Sequence, residues 1–139
     1  MNVDLAYGRG RLPIDFPVDR TTVLEPTYLD GLPNQTQAVR DALRAPLGTP
    51  PLRQLVRPGQ TVAISICDST RPMPSHTVLP VVLEELSHIR TGDIVVLVAT
   101  GTHRATTPAE LESMVGSNVL EHVTVINHDA FDQAGLCQL

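Results

Sequence analysis

Three short runs of β-branched and aliphatic residues, at positions 61–67, 93–99 and 122–127, constrain the fold of this chain more than any other feature. The first two runs are apolar almost throughout and are bounded by turn residues, a pattern typical of strands that are buried on both faces of a parallel sheet. Segments with helical character separate the runs. The alternation of strand, helix, strand, helix and strand predicts an α/β fold with right-handed crossovers.

Both connecting segments carry clear helix signals. The segment 107–110 reads Thr-Pro-Ala-Glu, which combines an N-cap, a first-turn proline and a capping-box glutamate, and the helix is expected to end at Gly116. The other segment, 75–89, contains Pro80, which predicts a bend. Four apolar side chains of that segment share one face: Val78, Val82, Leu86 and Ile89. We therefore expect a Rossmann-like three-layer domain with a parallel β-sheet core and helices on both faces.

The first third of the chain is irregular and rich in proline. Short strands are predicted at 3–7 and 12–16, around a Gly-Arg-Gly turn, and 22–24 is a candidate third strand. These residues form an irregular N-terminal arm, 1–33, in the predicted organisation.

Two helices are predicted between this arm and the βαβαβ core. Asn34 is expected to cap a helix that runs through Arg44, and a shorter helix follows at about 52–56. The core itself is placed at about 60–128. The length of 139 residues fits one domain.

Composition excludes several classes of function. The net charge of −5 argues against binding of nucleic acid, which requires basic patches. No run of about 18 apolar residues and no signal peptide is present, so we expect a cytoplasmic protein with no membrane partner. The cysteines, Cys67 and Cys137, lack the spacing of a disulfide framework. All ten basic residues are arginine, so a lysine amine cannot come from these residues.

Polar side chains follow the first strand of the core, where a parallel sheet binds its ligands. Asp68, Ser69, Thr70 and Arg71 supply a carboxylate, two hydroxyls and a guanidinium in four consecutive residues. A guanidinium suits a carboxylate or a phosphate, and small hydroxyls can donate to the same anion. The alternative is that Asp68 caps the next helix and pairs locally with Arg71.

The second strand runs into Thr-Gly-Thr-His-Arg at 100–104. Gly101 permits close backbone approach, and His103 can act as a general base near neutral pH. A lone histidine in a loop is more often a solvated side chain, but the position directly after a buried strand favours a function. The His-Asp pair at 128–129 is interpreted as structural or as a support for the residues of the site. The histidines lack the spacing of a metal site, so no metal ligand is predicted.

Two segments together resemble a known family. Residues 68–72 match its D-x-T-R-P motif, and residues 99–104, with Thr107 and the helix that contains Glu110, match its G-T-H-R segment and the following helix. The spacing of the two motifs and the His-Asp pair downstream also fit. From about Gln37 onward, the chain resembles the N-terminal domain of the nickel-pincer-nucleotide-dependent lactate racemases.

This resemblance implies an isomerase that racemises a small 2-hydroxy acid by hydride transfer. His103 matches one of two acid/base histidines, which takes the hydroxyl proton while the α-hydrogen leaves as hydride to the cofactor, nickel pyridinium-3,5-bisthiocarboxylic acid mononucleotide. Asp68, Ser69, Thr70 and Arg71 match the loop that contacts this nickel-pincer nucleotide. The resemblance also implies that Arg71 lies near the substrate.

The same resemblance implies that essential groups are missing. The family's second acid/base histidine, the lysine that tethers the cofactor and the histidine that ligates nickel would all follow residue 139. We therefore expect residues 1–139 to be an incomplete N-terminal domain that works with the second domain of its parent chain, and to be inactive and without cofactor alone. The alternatives are a non-enzymatic nucleotide- or anion-binding α/β module and a folded fragment without ligand affinity.

Overall fold

A computed structural model describes residues 1–132 and 134–136, which form two compact units, Met1–Gly31 and a second unit that begins at Leu32. The first unit is an antiparallel hairpin of β1 (Asn2–Tyr7) and β2 (Gly10–Asp15). Its turn contains Gly8 at a φ of 56°, a conformation that favours glycine. Both predicted strands of the arm are confirmed, whereas the candidate strand at 22–24 is not formed.

The second unit contains a three-stranded parallel sheet of β3 (Val62–Cys67), β4 (Ile94–Ala99) and β5 (Thr124–Asn127) in that order, with Val62 paired to Ile94 and Val95 paired to Thr124. The predicted parallel arrangement of the three apolar runs is thus confirmed. Among the described residues, no helix is long and apolar enough to cross a membrane. The elements of this unit are α1 (Gln35–Arg44), α2 (Leu52–Leu55), β3 (Val62–Cys67), α3 (Ser75–Glu85), β4 (Ile94–Ala99), α4 (Pro108–Val115), α5 (Ser117–His122) and β5 (Thr124–Asn127).

The core lies on one face of this sheet. On that face Ile94, Val96 and Val98 of β4 are between 0% and 4% exposed. Ile94 and Val96 pack with apolar side chains of α3, α4 and α5, while Val95 and Leu97 on the opposite face are only half-buried. Right-handed crossovers between strands in sequential order place both sets of helices on the same side. In the described part of the chain, the helix layer predicted for the second face is therefore not found.

Two predicted boundaries differ from the structure. Helix α3 ends at Glu85 rather than at residue 89, because the Leu86 N–H turns to the carbonyls of both Val82 and Leu83 and the chain continues in tight turns. His122, expected to open the third strand, is instead the last residue of α5, a helix that the sequence analysis did not predict. Gly116, at a φ of 85°, ends α4 and starts α5 at once.

The predicted helix caps are present. Asn34 Oδ1 accepts a hydrogen bond of 2.9 Å from the Gln37 N–H at the start of α1. Thr107 and Glu110 form the reciprocal capping box at the start of α4. These caps satisfy backbone N–H groups that a helix leaves free, so each start is fixed locally by the sequence.

A buried carboxylate joins α1 and α2 to α3. The side chain of Glu85 is fully buried, and its Oε1 lies 2.8 Å from Nε of Arg44. Its Oε2 lies 2.9 Å from Nε of Arg53, an ion pair whose angles do not meet those of a hydrogen bond. A charge in this position requires such partners, because burial without them is strongly unfavourable.

Candidate functional site

A cavity of about 420 Å³ opens at the carboxyl edge of the parallel sheet, between the ends of β3 and β4. Small-molecule sites in proteins occupy about 300–1,000 Å³, so the volume suits a small ligand. Its lining comes from the two segments that the sequence singled out, and includes Asp68, Thr70, Arg71, Gly101, Thr102 and His103.

A short hydrogen bond links the two segments across this cavity. Nδ1 of His103 lies 2.6 Å from Oδ2 of Asp68, whose residue is 6% exposed, while the imidazole side chain is 56% exposed. An ionised carboxylate can only accept, so Nδ1 carries the proton and donates it. In the neutral ring Nε2 is then the nitrogen with the free lone pair, which is the atom that a general base uses.

The carboxylate of Asp68 is held in its ionised form. Its Oδ1 accepts hydrogen bonds from the Thr70 hydroxyl at 2.6 Å and from the Thr70 N–H at 3.1 Å. The hydrogen bond from the Thr70 hydroxyl, followed by that from His103, lowers the pKa of Asp68 to about 2. At neutral pH Asp68 is therefore a carboxylate, and it orients the ring of His103.

Arg71 lines the same cavity with an exposed side chain that forms no ion pair within the described residues. The local pairing with Asp68, given as an alternative above, is wrong, because the side-chain partners of Asp68 are Thr70 and His103. Nor does Asp68 cap the next helix, since α3 starts after Pro74 with no side-chain cap. Ser69 is exposed and does not line the cavity. Arg71 thus leaves a positive charge available to an anionic ligand.

Hydrogen bonds from the end of β5 hold the loop that carries His103. The Thr100 hydroxyl donates to the carbonyl of His128 at 2.6 Å. The side-chain amide of Asn127 accepts from the Thr106 N–H at 2.9 Å and donates to the Thr106 carbonyl at 3.0 Å. Neither contact could be predicted from the sequence, because a polar residue at a strand end carries no signal of which backbone group it will meet.

The neighbouring Arg104 has a structural partner. It forms a local ion pair with Glu110 of α4, at a distance of 2.7 Å. Within the described residues, no group of three or more histidine, cysteine, aspartate or glutamate side chains could hold a metal ion. The site therefore offers a base, a carboxylate that orients it and a cation, all at one sheet edge.

These features define a class of protein, an α/β domain with a polar ligand cavity at the carboxyl edge of a parallel sheet. Comparison with known families gives the family itself. The family model described as the lactate racemase N-terminal domain matches residues 7–139, and the chain belongs to this family.

Two curated relatives are similar over most of the chain. The lactate racemase of Thermoanaerobacterium thermosaccharolyticum is 30% identical over 134 residues, which are 93% of this chain and 31% of that protein. The lactate racemase of Lactiplantibacillus plantarum is 29% identical over 142 residues, covering 91% of this chain and 33% of the relative. The chain thus spans about a third of the length of the curated relatives it matches.

Solved structures give the same picture. The lactate racemase apoprotein from Thermoanaerobacterium thermosaccharolyticum superimposes with a TM-score of 0.77 at 29% identity, over 96% of this chain and 31% of that one. A Thermotoga maritima protein superimposes with a TM-score of 0.58 at 24% identity, over 79% of this chain and 25% of that one, which supports the fold alone.

Proposed function

We propose that these residues form part of the active site of a 2-hydroxyacid racemase, whose substrate is lactate or a similarly small hydroxy acid. The hydrogen bond between His103 and Asp68, beside an Arg71 that forms no ion pair in the described part of the chain, is the observation that carries this proposal. The similarity to lactate racemases supplies the reaction class.

In this proposal His103 is the acid/base group for the substrate hydroxyl. Nε2 takes the hydroxyl proton, and the α-hydrogen leaves C2 with its electron pair, so that the substrate becomes a 2-keto acid. For inversion, the 2-keto acid must turn so that its other face meets the hydride, and its oxygen then takes a proton from the second acid/base group, which we propose comes from another part of the whole protein. Asp68 keeps the ring in one tautomer and stabilises the imidazolium while it holds the proton.

Arg71 is proposed to bind an anion at the same cavity. The planar guanidinium can donate two parallel hydrogen bonds to a carboxylate, which would fix the α-carboxylate of the substrate with C2 near His103. The same fork would suit the phosphate of a nucleotide, and Ser69 and Thr70 are further candidates for cofactor contact.

The residues present fit only part of the cofactor expected for this family. Arg71 is a free cation for its phosphate, and at Gly101 an added Cβ would meet no atom within 4 Å, so a ligand can approach the backbone there. When bound, the nickel-pincer nucleotide supplies the acceptor and donor of hydride. No lysine is available among these residues to tether it, and we propose that the tether and the nickel ligands come from other parts of the whole protein.

We also propose that a second helix layer completes a three-layer Rossmann-like domain in the whole protein. The face of the sheet opposite the core carries Val95, Leu97 and Ile126, which are half-buried or exposed in this unit. Apolar side chains on a parallel sheet are normally covered on both faces.

Deuterium labelling of the substrate tests the proposed reaction. The nickel-loaded full-length protein is given D-lactate with deuterium at C2, and L-lactate and its label are measured. Hydride transfer predicts racemisation in which deuterium stays at C2. Loss of the label to water, or no racemisation of any small 2-hydroxy acid, would contradict the proposal.

The unpaired Arg71 also supports a second candidate, a non-enzymatic module that binds nucleotides or other anions. This candidate predicts that nicotinic acid mononucleotide binds to the chain and that replacing Arg71 abolishes binding, whereas replacing His103 changes nothing measurable. A turnover that depends on His103 would decide in favour of the racemase.

A further inference from the structure

The position of His103 is not fixed by regular secondary structure. Its loop, 100–107, connects β4 to α4 without forming a helix or strand. Within the loop, the His103 N–H donates to the Thr100 carbonyl at 3.0 Å, which makes a single turn. The imidazole must nevertheless reach Asp68 at 2.6 Å, from a side chain that is more than half exposed. Contacts from outside the loop are therefore needed to hold it.

The side chain of Asn127 provides such a contact at the far end of the loop. Its amide oxygen and nitrogen satisfy both backbone groups of Thr106, a residue that is 4% exposed. The pairing of β4 with β5 ends at Val98 and Asn127. Beyond this point the Asn127 side chain, rather than the strand backbone, makes the hydrogen bonds to the loop. A buried pair of backbone groups with no partner would be unfavourable, which makes the contact specific to an amide.

The next residue holds the near end of the same loop. The carbonyl of His128 accepts from the hydroxyl of Thr100, which is 2% exposed, and its N–H donates to Val98 at 2.9 Å. Two consecutive residues of β5 and its exit thus fix both ends of the loop.

We propose that Asn127 is a positioning residue for the proposed reaction, which acts by holding the loop so that Nδ1 of His103 meets Asp68. Asn127 does not line the cavity, so it acts through His103 rather than on the ligand. The inference rests on the proposed function for its role in catalysis. Displacement of a reacting group by about 1 Å can lower turnover about 100-fold, so a loop anchor can affect rate without touching the substrate.

Imidazole NMR of the chain tests this role without any cofactor. In ¹⁵N-labelled wild type, the His103 ring is expected in the tautomer with the proton on Nδ1. Asn127→Ala should convert this signal to that of a mixture of tautomers and remove the Nδ1–H resonance. Asn118→Ala, at an exposed asparagine of α5, is the matched control and should leave the signal unchanged.

An unchanged His103 signal in folded Asn127→Ala would overturn the inference. If that variant does not fold, Asn127→Asp decides between the same two results, because it keeps the acceptor for the Thr106 N–H and loses only the donor. In the nickel-loaded full-length protein, Asn127→Ala should lower kcat about 10- to 100-fold with little change in KM. If no protein racemises, the proposed function fails, while the NMR result still decides whether Asn127 positions His103.

Discussion

Nδ1 of His103 donates a hydrogen bond of 2.6 Å to Oδ2 of Asp68, although 35 residues separate the two in sequence. The pair joins the ends of two neighbouring parallel strands, where ligands of such sheets bind. A histidine oriented in this way by a carboxylate is well suited to general-base catalysis. The chemistry proposed for the chain depends on this pair.

Replacement of Asp68 by asparagine removes the negative charge and keeps the shape of the side chain, so it tests the orienting role of the carboxylate. Without the negative charge, the imidazolium of His103 loses its counter-ion and the ring is no longer restricted to one tautomer, so kcat of the loaded full-length protein should fall about 10-fold or more. Asp93→Asn, which removes a carboxylate paired with the exposed Arg90, is the control and should retain activity. Equal activities of the two variants would contradict the role of Asp68.

The carboxyl of Asp68 should titrate well below its usual value of 3.8, with a pKa of about 2. The unfolded chain binds this proton more readily than the folded chain between about pH 4 and pH 2. The contribution of Asp68 to stability is therefore present above this range and is lost as the pH falls through it. Carboxyl ¹³C chemical shifts measure the titration directly. A midpoint near 3.8 would show that the hydrogen bonds from Thr70 and His103 do not persist in solution.

Arg71 should affect binding more than it affects the acid/base step. Arg71→Ala removes the bidentate partner of an anion and should raise KM for the 2-hydroxy acid, or the Kd of the nucleotide, about 10-fold or more. Arg71→Lys keeps the charge and should recover only part of the loss, because an ammonium lacks the planar fork. Arg57→Ala, outside the cavity, is the control. An unchanged KM and Kd in Arg71→Ala would exclude it from anion binding.

Local signals explain what the sequence predicted well. Thr107 and Glu110 specify the start of α4 by a capping box that spans only four residues, and apolar runs specify the three strands because each contributes apolar side chains to the core. The short helix α5 escaped prediction since it follows α4 after a single glycine. The boundary of α3 was placed too late because Ile89, past the end of the helix, still packs in the core.

The candidate site could be located from the sequence but not assembled from it. Parallel strands bring Asp68 and His103 to the same edge, which the pattern predicts. Whether Asp68 pairs with Arg71 or with His103 depends on the course of two loops, and the tertiary structure selects His103. The contact of Asn127 with Thr106 depends on the same loop and has no local signature. Helices on both faces of the sheet were predicted from the composition of the strands. It is the order of the strands, however, that determines on which face of the sheet the connecting helices lie.

The ion pairs of Glu85 should contribute to stability because its carboxylate is fully buried. Replacement of both Arg44 and Arg53 by methionine would leave that charge without its two partners. Both arginines are about half exposed, so we expect the lower end of the usual range, a loss of about 3 kcal/mol in the free energy of unfolding. Arg90→Met, which removes the exposed partner of Asp93, should cost clearly less, because an exposed arginine gains little from its ion pair. Urea denaturation measures both, and equal losses would contradict the role assigned to Glu85.

The most direct test of the account is the turnover of D- and L-lactate by the nickel-loaded full-length protein with His103 replaced by alanine. His76→Ala, at an exposed histidine of α3, is the matched control. If His103 moves the hydroxyl proton, kcat should fall by about 10²- to 10⁴-fold in His103→Ala and stay near wild type in His76→Ala. Full racemase activity in His103→Ala would contradict the account.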